Sequence, residues 1–140
     1  MRLYLDANFF IAFVESPLWD FGGVIRRVET APGSLVTSEF TVAEVLVLPF
    51  KTGDLALAQT YEDLWSRPGV FPMVPVSAAV LRRSAEIRAT LGNKTPDAIH
   101  VATAVETGCT LFLSSDQRIR LPEGLRRVSL EDAARMDMRS

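Results

Sequence analysis

Four acidic residues, Asp6, Glu44, Asp97 and Asp116, have surroundings that set them apart from ordinary surface charge. Asp6 separates Leu5 from the apolar run Phe9-Phe10-Ile11-Ala12-Phe13-Val14, and an acid at such a seam is costly unless it has a partner. Glu44 lies in Thr41-Val42-Ala43-Glu44, Asp97 in Thr95-Pro96-Asp97, and Asp116 in Ser114-Ser115-Asp116. Each has a plainer use. Glu44 can close a capping box with Thr41. Asp97 suits the first turn of a helix, where the dipole favours negative charge. Asp116 can cap the turn Gln117 to Arg120, and Glu39 competes with Glu44 for any shared role. Only a common location would join these acids in one chemistry. Carboxylates in close proximity repel and need protons or cations between them. In a chain with one His and one Cys, an all-oxygen cluster selects Mg2+ or Mn2+ and excludes a Cys/His zinc site. Such ions keep several waters, accept phosphate oxygens and support phosphodiester hydrolysis by activating water and steadying the leaving oxygen.

The elements that must position these acids follow from periodicity and breakers. Arg2 to Leu5 reads as a strand, and Phe9 to Val14 as a buried first helix broken at Ser16-Pro17. Trp19 to Glu29 has Phe21, Val24, Ile25 and Val28 at helical spacing, with Arg26-Arg27 directed to water. Ser34 to Thr37 is a second strand. A helix then runs from about Phe40 to Leu48, where Pro49 ends or kinks it. Gly53-Asp54 restarts a helix from Leu55 to Trp65, closed by Pro68-Gly69. Met73 to Val76 is a third strand, and Pro75 places it at an edge. Ser77 caps a helix from Ala78 to about Thr90, with Val80, Leu81, Ala85, Ile87 and Leu91 inward, and Gly92-Asn93 stops it. Thr95 caps the next helix, Pro96 takes its first position, and Gly108 ends it. Thr110 to Leu113 is the most apolar strand and is expected at the centre. Arg126 to Leu130 is the last strand, and the tail from Met136 is expected to fray.

Strands alternating with helices through short connections imply a single α/β domain over 1–140, with a parallel sheet flanked by helices on both faces. Ligands of open parallel sheets bind beyond the carboxyl ends of the strands. Asp6 directly follows strand one, and Asp116 follows the apolar strand. Glu44 lies about two turns into the helix after strand two. The helix that Asp97 begins must run back along the sheet, so its start lies at the same edge. All four acids are therefore expected at one edge.

Bulk properties narrow the class. A hydrophobic fraction of 48% and a charged fraction of 23% are those of a globular protein. No stretch approaches the roughly 18 apolar residues of a membrane span. No signal peptide is visible, and the lone Cys109 excludes an internal disulfide, so a cytoplasmic location is expected. The net charge of -2 argues mildly against a non-specific nucleic-acid binder. Setting aside four metal-binding acids leaves 13 acids against 15 bases, a balance of +2.

These motifs resemble the PIN-domain family, in particular the VapC-type toxins of toxin–antitoxin pairs. The resemblance rests on Leu5-Asp6-Ala7-Asn8, on Thr41 to Leu46, on Thr95 to Ala104 and on Leu113-Ser114-Ser115-Asp116, in that order over nearly the whole chain. It implies a five-stranded parallel sheet and Mg2+- or Mn2+-dependent endoribonuclease activity, with Asp6, Glu44, Asp97 and Asp116 as the acidic quartet. Asn8 matches a polar position that supports the first acid, and Ser114 a small hydroxyl before the last. RNA hydrolysis leaving 5′-phosphate and 3′-hydroxyl ends, a homodimer and a cognate VapB-type antitoxin are implied with it. Lys94, Arg118 and Arg120 flank the expected site and could meet phosphates. His100, three residues after Asp97, is a candidate for a substrate or supporting role, or is simply packed. The competing reading is a non-catalytic module that uses the same fold to bind RNA or a protein partner. A dehalogenase-type phosphatase would need Asp-x-Asp where this chain has Asp6-Ala7-Asn8.

Overall fold

The computed structural model describes residues 2–16, 18–67 and 71–135, with the side chains of 28 and 29 excepted. Strand β1 (Leu3–Leu5) is buried on both faces, and Asp6 ends it and starts helix α1 (Ala7–Glu15). Asp6 is extended (φ -87, ψ 178), and its carboxylate accepts the Phe9 N–H at 3.2 Å, closing one of the open donors of the helix start. Helix α2 (Gly22–Thr30) leads to β2 (Leu35–Ser38). Helices α3 (Phe40–Val45), α4 (Val47–Thr52) and α5 (Leu55–Ser66) precede β3 (Met73–Val74). Helices α6 (Ala78–Leu91) and α7 (Thr95–Glu106) then lead to β4 (Leu111–Leu113), β5 (Arg126–Val128) and α8 (Leu130–Arg135).

The strands form one parallel five-stranded sheet in the order β3-β2-β1-β4-β5. Side chains alternate across it. Leu3, Leu5, Leu111 and Leu113 face a core completed by Phe9, Phe10, Tyr61 and Ala133, from α1, α5 and α8. Tyr4, Val36 and Phe112 face the other core, completed by α6 and α7. Helix α7 is buried at every residue from Ala98 to Ala104, which makes it a rigid support. The chain builds outward from β1 to β2 and β3, then returns to place β4 on the other side of β1. Beyond the carboxyl ends of β1 and β4 therefore lies the topological switch point, the usual ligand crevice of such sheets.

Several details differ from the expectations. The central strand is β1; β4 is its neighbour, apolar because it too is interior. The expected helix through Leu48 is two helices that meet at Leu46. A proline ring clashes with the carbonyl four residues earlier, so Pro49 is accommodated only in the first turn of a new helix. Arg27 is buried, three residues after Val24 on the inward stripe of α2. On α6 the inward residues are Val80, Ser84 and Ile87, while Leu81 is exposed and Ala85 lies outward with it. Leu130 begins α8 instead of ending a strand: Ser129 Oγ accepts the Asp132 N–H at 3.0 Å, a cap followed by acids in the first turn. Thr95 is the first residue of α7, not its cap, which is Lys94. The cap at Ser77, the helix that restarts after Gly53-Asp54, the left-handed stop at Gly92 (φ +78) and the edge position of β3 are as expected. The breaks at Pro17 and Pro68-Gly69, the inward Val28 and the tail from Met136 lie outside what is described.

Candidate metal centre

The register of β1 and β4 builds the centre of the site. Leu5 pairs with Leu113, so the next residues, Asp6 and Ser114, emerge side by side at the switch point. Ser114 is fully buried, and its hydroxyl does two jobs. It donates to the Asp6 carboxylate, and its Oγ accepts the Asp116 N–H at 3.1 Å. One side chain thus fixes two acids from different strands. Next to it, Thr37 donates to the Leu5 carbonyl at 2.8 Å and shares a hydroxyl contact with Thr41 at 2.9 Å, tying β2 and α3 to the end of β1. That contact takes Thr41 away from the capping box expected with Glu44.

Asp6 is only 3% exposed. Burial pushes its carboxyl up to about 6, against the opposing hydrogen bonds from Ser114 and the Phe9 N–H and the nearby His100; Glu44 adds a further upward push. Asp97, half-buried in the first turn of α7, is also raised, first by burial and then by the charges of Asp116 and Glu44. Asp116 is lowered, because Arg118 grips it with its guanidinium (Nε at 3.0 Å, Nη2 at 3.1 Å) and its backbone N–H at 2.9 Å. The four acids thus form one electrostatically coupled set, linked through Asp6 with Glu44, Asp97 with Glu44 and Asp97 with Asp116.

A hollow of about 300 Å3 opens over this edge, lined by Asn93, Lys94, Asp97, Asp116, Arg118 and Arg120. A second, of about 530 Å3, continues on the other side of Asp116 and Arg118 and includes Asn8, Ile11, Ala12 and Glu15. The cationic residues Lys94, Arg118 and Arg120 therefore share a wall with two of the acids. Asn8 is exposed in the second hollow; the bonds to Asp6 come from Ser114 and Phe9, so the supporting part expected of Asn8 falls to Ser114. His100 is turned inward and 3% exposed, with Nε2 bonded to Glu44 and Nδ1 to the Tyr4 hydroxyl at 2.5 Å. It does not reach either hollow, which corrects its candidacy for substrate contact.

Three participants are not among the expected site residues. Asn93 is expected only as a helix stop. Its side chain clamps the Arg120 backbone, accepting the N–H at 2.8 Å and donating to the carbonyl at 2.7 Å. Tyr4 stands behind His100, and burial pushes its phenol well above the usual range, so it stays a donor. Thr37 anchors the strand ends. The only sequence signal for Tyr4 is a polar group inside an otherwise apolar strand, and for Thr37 a hydroxyl following an apolar pair; Asn93 carries none beyond its place after Gly92.

The donor set fits a hard divalent cation in chemistry: oxygen only, mutually repelling, with one carboxyl already driven toward protonation by burial. Among the described residues no three acidic, His or Cys side chains stand in a ready-made cage. Arg118 occupies the outer face of Asp116, so a cation would compete with that pair.

Taken together, the switch-point site and the sheet order define an α/β domain with an acid-lined edge suited to a divalent cation. A family model for the PIN domain matches residues 3–124, and the chain belongs to that family. No curated protein sequence matches it. Among solved structures it resembles a toxin–antitoxin complex from Klebsiella pneumoniae at 22% identity, with a TM-score of 0.66, over 89% of this chain and 95% of that one. It also resembles VapBC2 from Rickettsia felis bound to a promoter DNA fragment (14%, TM-score 0.72, covering 92% and 98%). DNA-bound VapBC from Salmonella typhimurium is similar at 16% identity and a TM-score of 0.68, covering 93% and 98%.

Proposed function

We propose that this chain is a Mg2+- or Mn2+-dependent endoribonuclease, the toxin of a toxin–antitoxin pair, with Asp6, Glu44, Asp97 and Asp116 as its site acids. What supports the reading is that Ser114 bonds both Asp6 and Asp116, that Asp97 and Asp116 line one hollow, and that Glu44 acts on Asp6 and Asp97 through its charge. The solved relatives being toxin–antitoxin complexes supports the second half. When bound, the cation would supply an acidified water and charge neutralisation at the scissile phosphate.

The chain's own residues prepare that step. Asp6, Asp97 and Asp116 would hold the cation, and Glu44 would bind it or orient the attacking water. Ser114 keeps Asp6 and Asp116 in fixed relation, and α7 delivers Asp97 on a buried, rigid element. Lys94, Arg118 and Arg120 would meet phosphates along the hollow, with Arg118 turning from Asp116 to the substrate. Attack by water leaves a 5′-phosphate and a 3′-hydroxyl. The antitoxin partner and homodimer follow from the family resemblance.

The test is cleavage of a structured RNA with Mg2+ or Mn2+, repeated with EDTA and with Asp97→Asn. The cap of α7 is Lys94 and its first turn contains Pro96, so the variant is expected to fold normally and lose cleavage. Turnover that survives both EDTA and the substitution refutes the metal mechanism. Tight RNA binding without turnover under any metal favours the binding-module reading.

A further inference from the structure

Glu44 presents a positioning problem that the other three acids do not. Its side chain has three rotatable bonds, is a third exposed (32%) and projects from α3, a helix of six residues. We propose that Tyr4 and His100 are positioning residues that hold the Glu44 carboxylate through a one-way hydrogen-bond relay, an inference that rests on Glu44 belonging to the metal site.

The direction of the relay follows from its ends. An ionised carboxylate only accepts, so His100 Nε2, bonded to Glu44 Oε1, carries the proton. In the neutral imidazole Nδ1 is then the bare nitrogen and accepts the Tyr4 O–H at 2.5 Å. The Tyr4 oxygen in turn accepts the backbone N–H of Ser38, at the end of β2. Every group has the partner its chemistry requires. The ring is also gripped sterically, by Tyr4 at 5.7 Å and 61° and by Phe40 at 5.7 Å and 60°. The opposite tautomer would aim a lone pair at the carboxylate.

Packing alone gives no reason for these residues. Tyr4 is fully buried and stacks on Phe112 in the apolar core between the sheet and α7. A phenol and an imidazole are costly there unless hydrogen-bonded, and Phe with Leu would fill similar space. The relay gives both a use: it spans from β2 through β1 and α7 to α3, and delivers a single N–H at one oxygen of Glu44.

The experiment measures Mn2+ affinity by calorimetry and the imidazole tautomer by long-range 1H–15N spectra of the metal-free protein. The variants are Tyr4→Phe, His100→Gln, Glu44→Gln and the Tyr4→Phe/Glu44→Gln pair. Loss of an outer hydrogen-bond partner weakens metal binding roughly 10–100-fold. Tyr4→Phe is expected to do so, and to lower kcat for RNA more than it raises KM. His100→Gln keeps an amide donor near the Nε2 position but offers the Tyr4 hydroxyl no acceptor, so it is expected to weaken binding about as much as Tyr4→Phe, and wild-type affinity in it also overturns the relay. In the Glu44→Gln background Tyr4→Phe is expected to add nothing, since there is no carboxylate left to position. Wild-type affinity in Tyr4→Phe, or an equal loss in both backgrounds, overturns the relay. A wild-type imidazole protonated on Nδ1 overturns it independently of any metal. Wild-type protein that binds no Mn2+ overturns the metal reading instead, and the spectrum still judges the relay.

Discussion

Replacing Asp6 by Asn should make the metal-free protein more stable while it destroys activity. Asp6 is 3% exposed, and its carboxyl is pushed from an ordinary 3.8 to about 6, so holding it ionised in the fold works against folding. Asn is as good a helix cap as Asp and keeps the oxygen that accepts the Phe9 N–H. The sign follows from the two titrations. Below about pH 4 the carboxyl is protonated whether the chain is folded or not. Between about pH 4 and pH 6 the unfolded chain ionises freely while the folded chain still holds its proton, so wild-type stability falls across that window and levels off above it. At ~1.36 kcal/mol for each tenfold change, the rise from 3.8 to about 6 corresponds to about 3 kcal/mol by pH 8. For a chain of this size that is roughly 10 °C in Tm. The assay is thermal or urea unfolding of EDTA-treated wild type and Asp6→Asn from pH 4 to pH 8. The variant should gain its advantage between about pH 4 and pH 6 and hold it to pH 8, and added Mg2+ should stabilise wild type but not the variant. A variant that melts below wild type at pH 8, or a gap that ignores pH, refutes the buried-charge reasoning.

Other substitutions probe the frame around the acids. Asn93→Ala removes both bonds to the Arg120 backbone and should cost about 1–3 kcal/mol in urea unfolding, with a raised KM for RNA and unchanged Mn2+ affinity. Thr37→Val keeps the shape but strands the Leu5 carbonyl and Thr41, for about 1–3 kcal/mol by the same measurement, and should also weaken Mn2+ binding by loosening the end of β1. Lys94→Ala and Arg120→Ala should each lower the salt dependence of RNA binding by about one phosphate contact, read as the slope of log affinity against log salt.

The fold class and the gathering of the acids were legible because both depend on order along the chain. Strands alternating with helices leave few arrangements other than a parallel sheet, and in such a sheet every strand's end lies at one edge. Asp6, Asp116 and the start of α7 had to meet there, whatever the register. Helix ends were legible where a residue acts on its own neighbours, Ser77 and Asp54 through their side chains and Gly92 through its left-handed backbone. Ser129 sends the same local signal for α8, in the pattern Ser129-Leu130-Glu131-Asp132, although Arg126 to Leu130 reads as a strand.

Contacts between distant residues decided the rest. That β1 and not β4 is central depends on the chain returning across the sheet after β3, which no local pattern records. Whether Ser114 or Asn8 supports Asp6 depends on the Leu5–Leu113 register, which sets Ser114 beside Asp6. His100 shares a helix with Asp97, and spacing alone allowed it to face the substrate. Tyr4 and Glu44, 96 and 56 residues away in sequence, turn it inward. By itself the sequence determined which acids could meet and at which edge. Only the tertiary structure decided how each is held, because hydrogen bonds and desolvation act over a few ångströms of space and ignore distance along the chain.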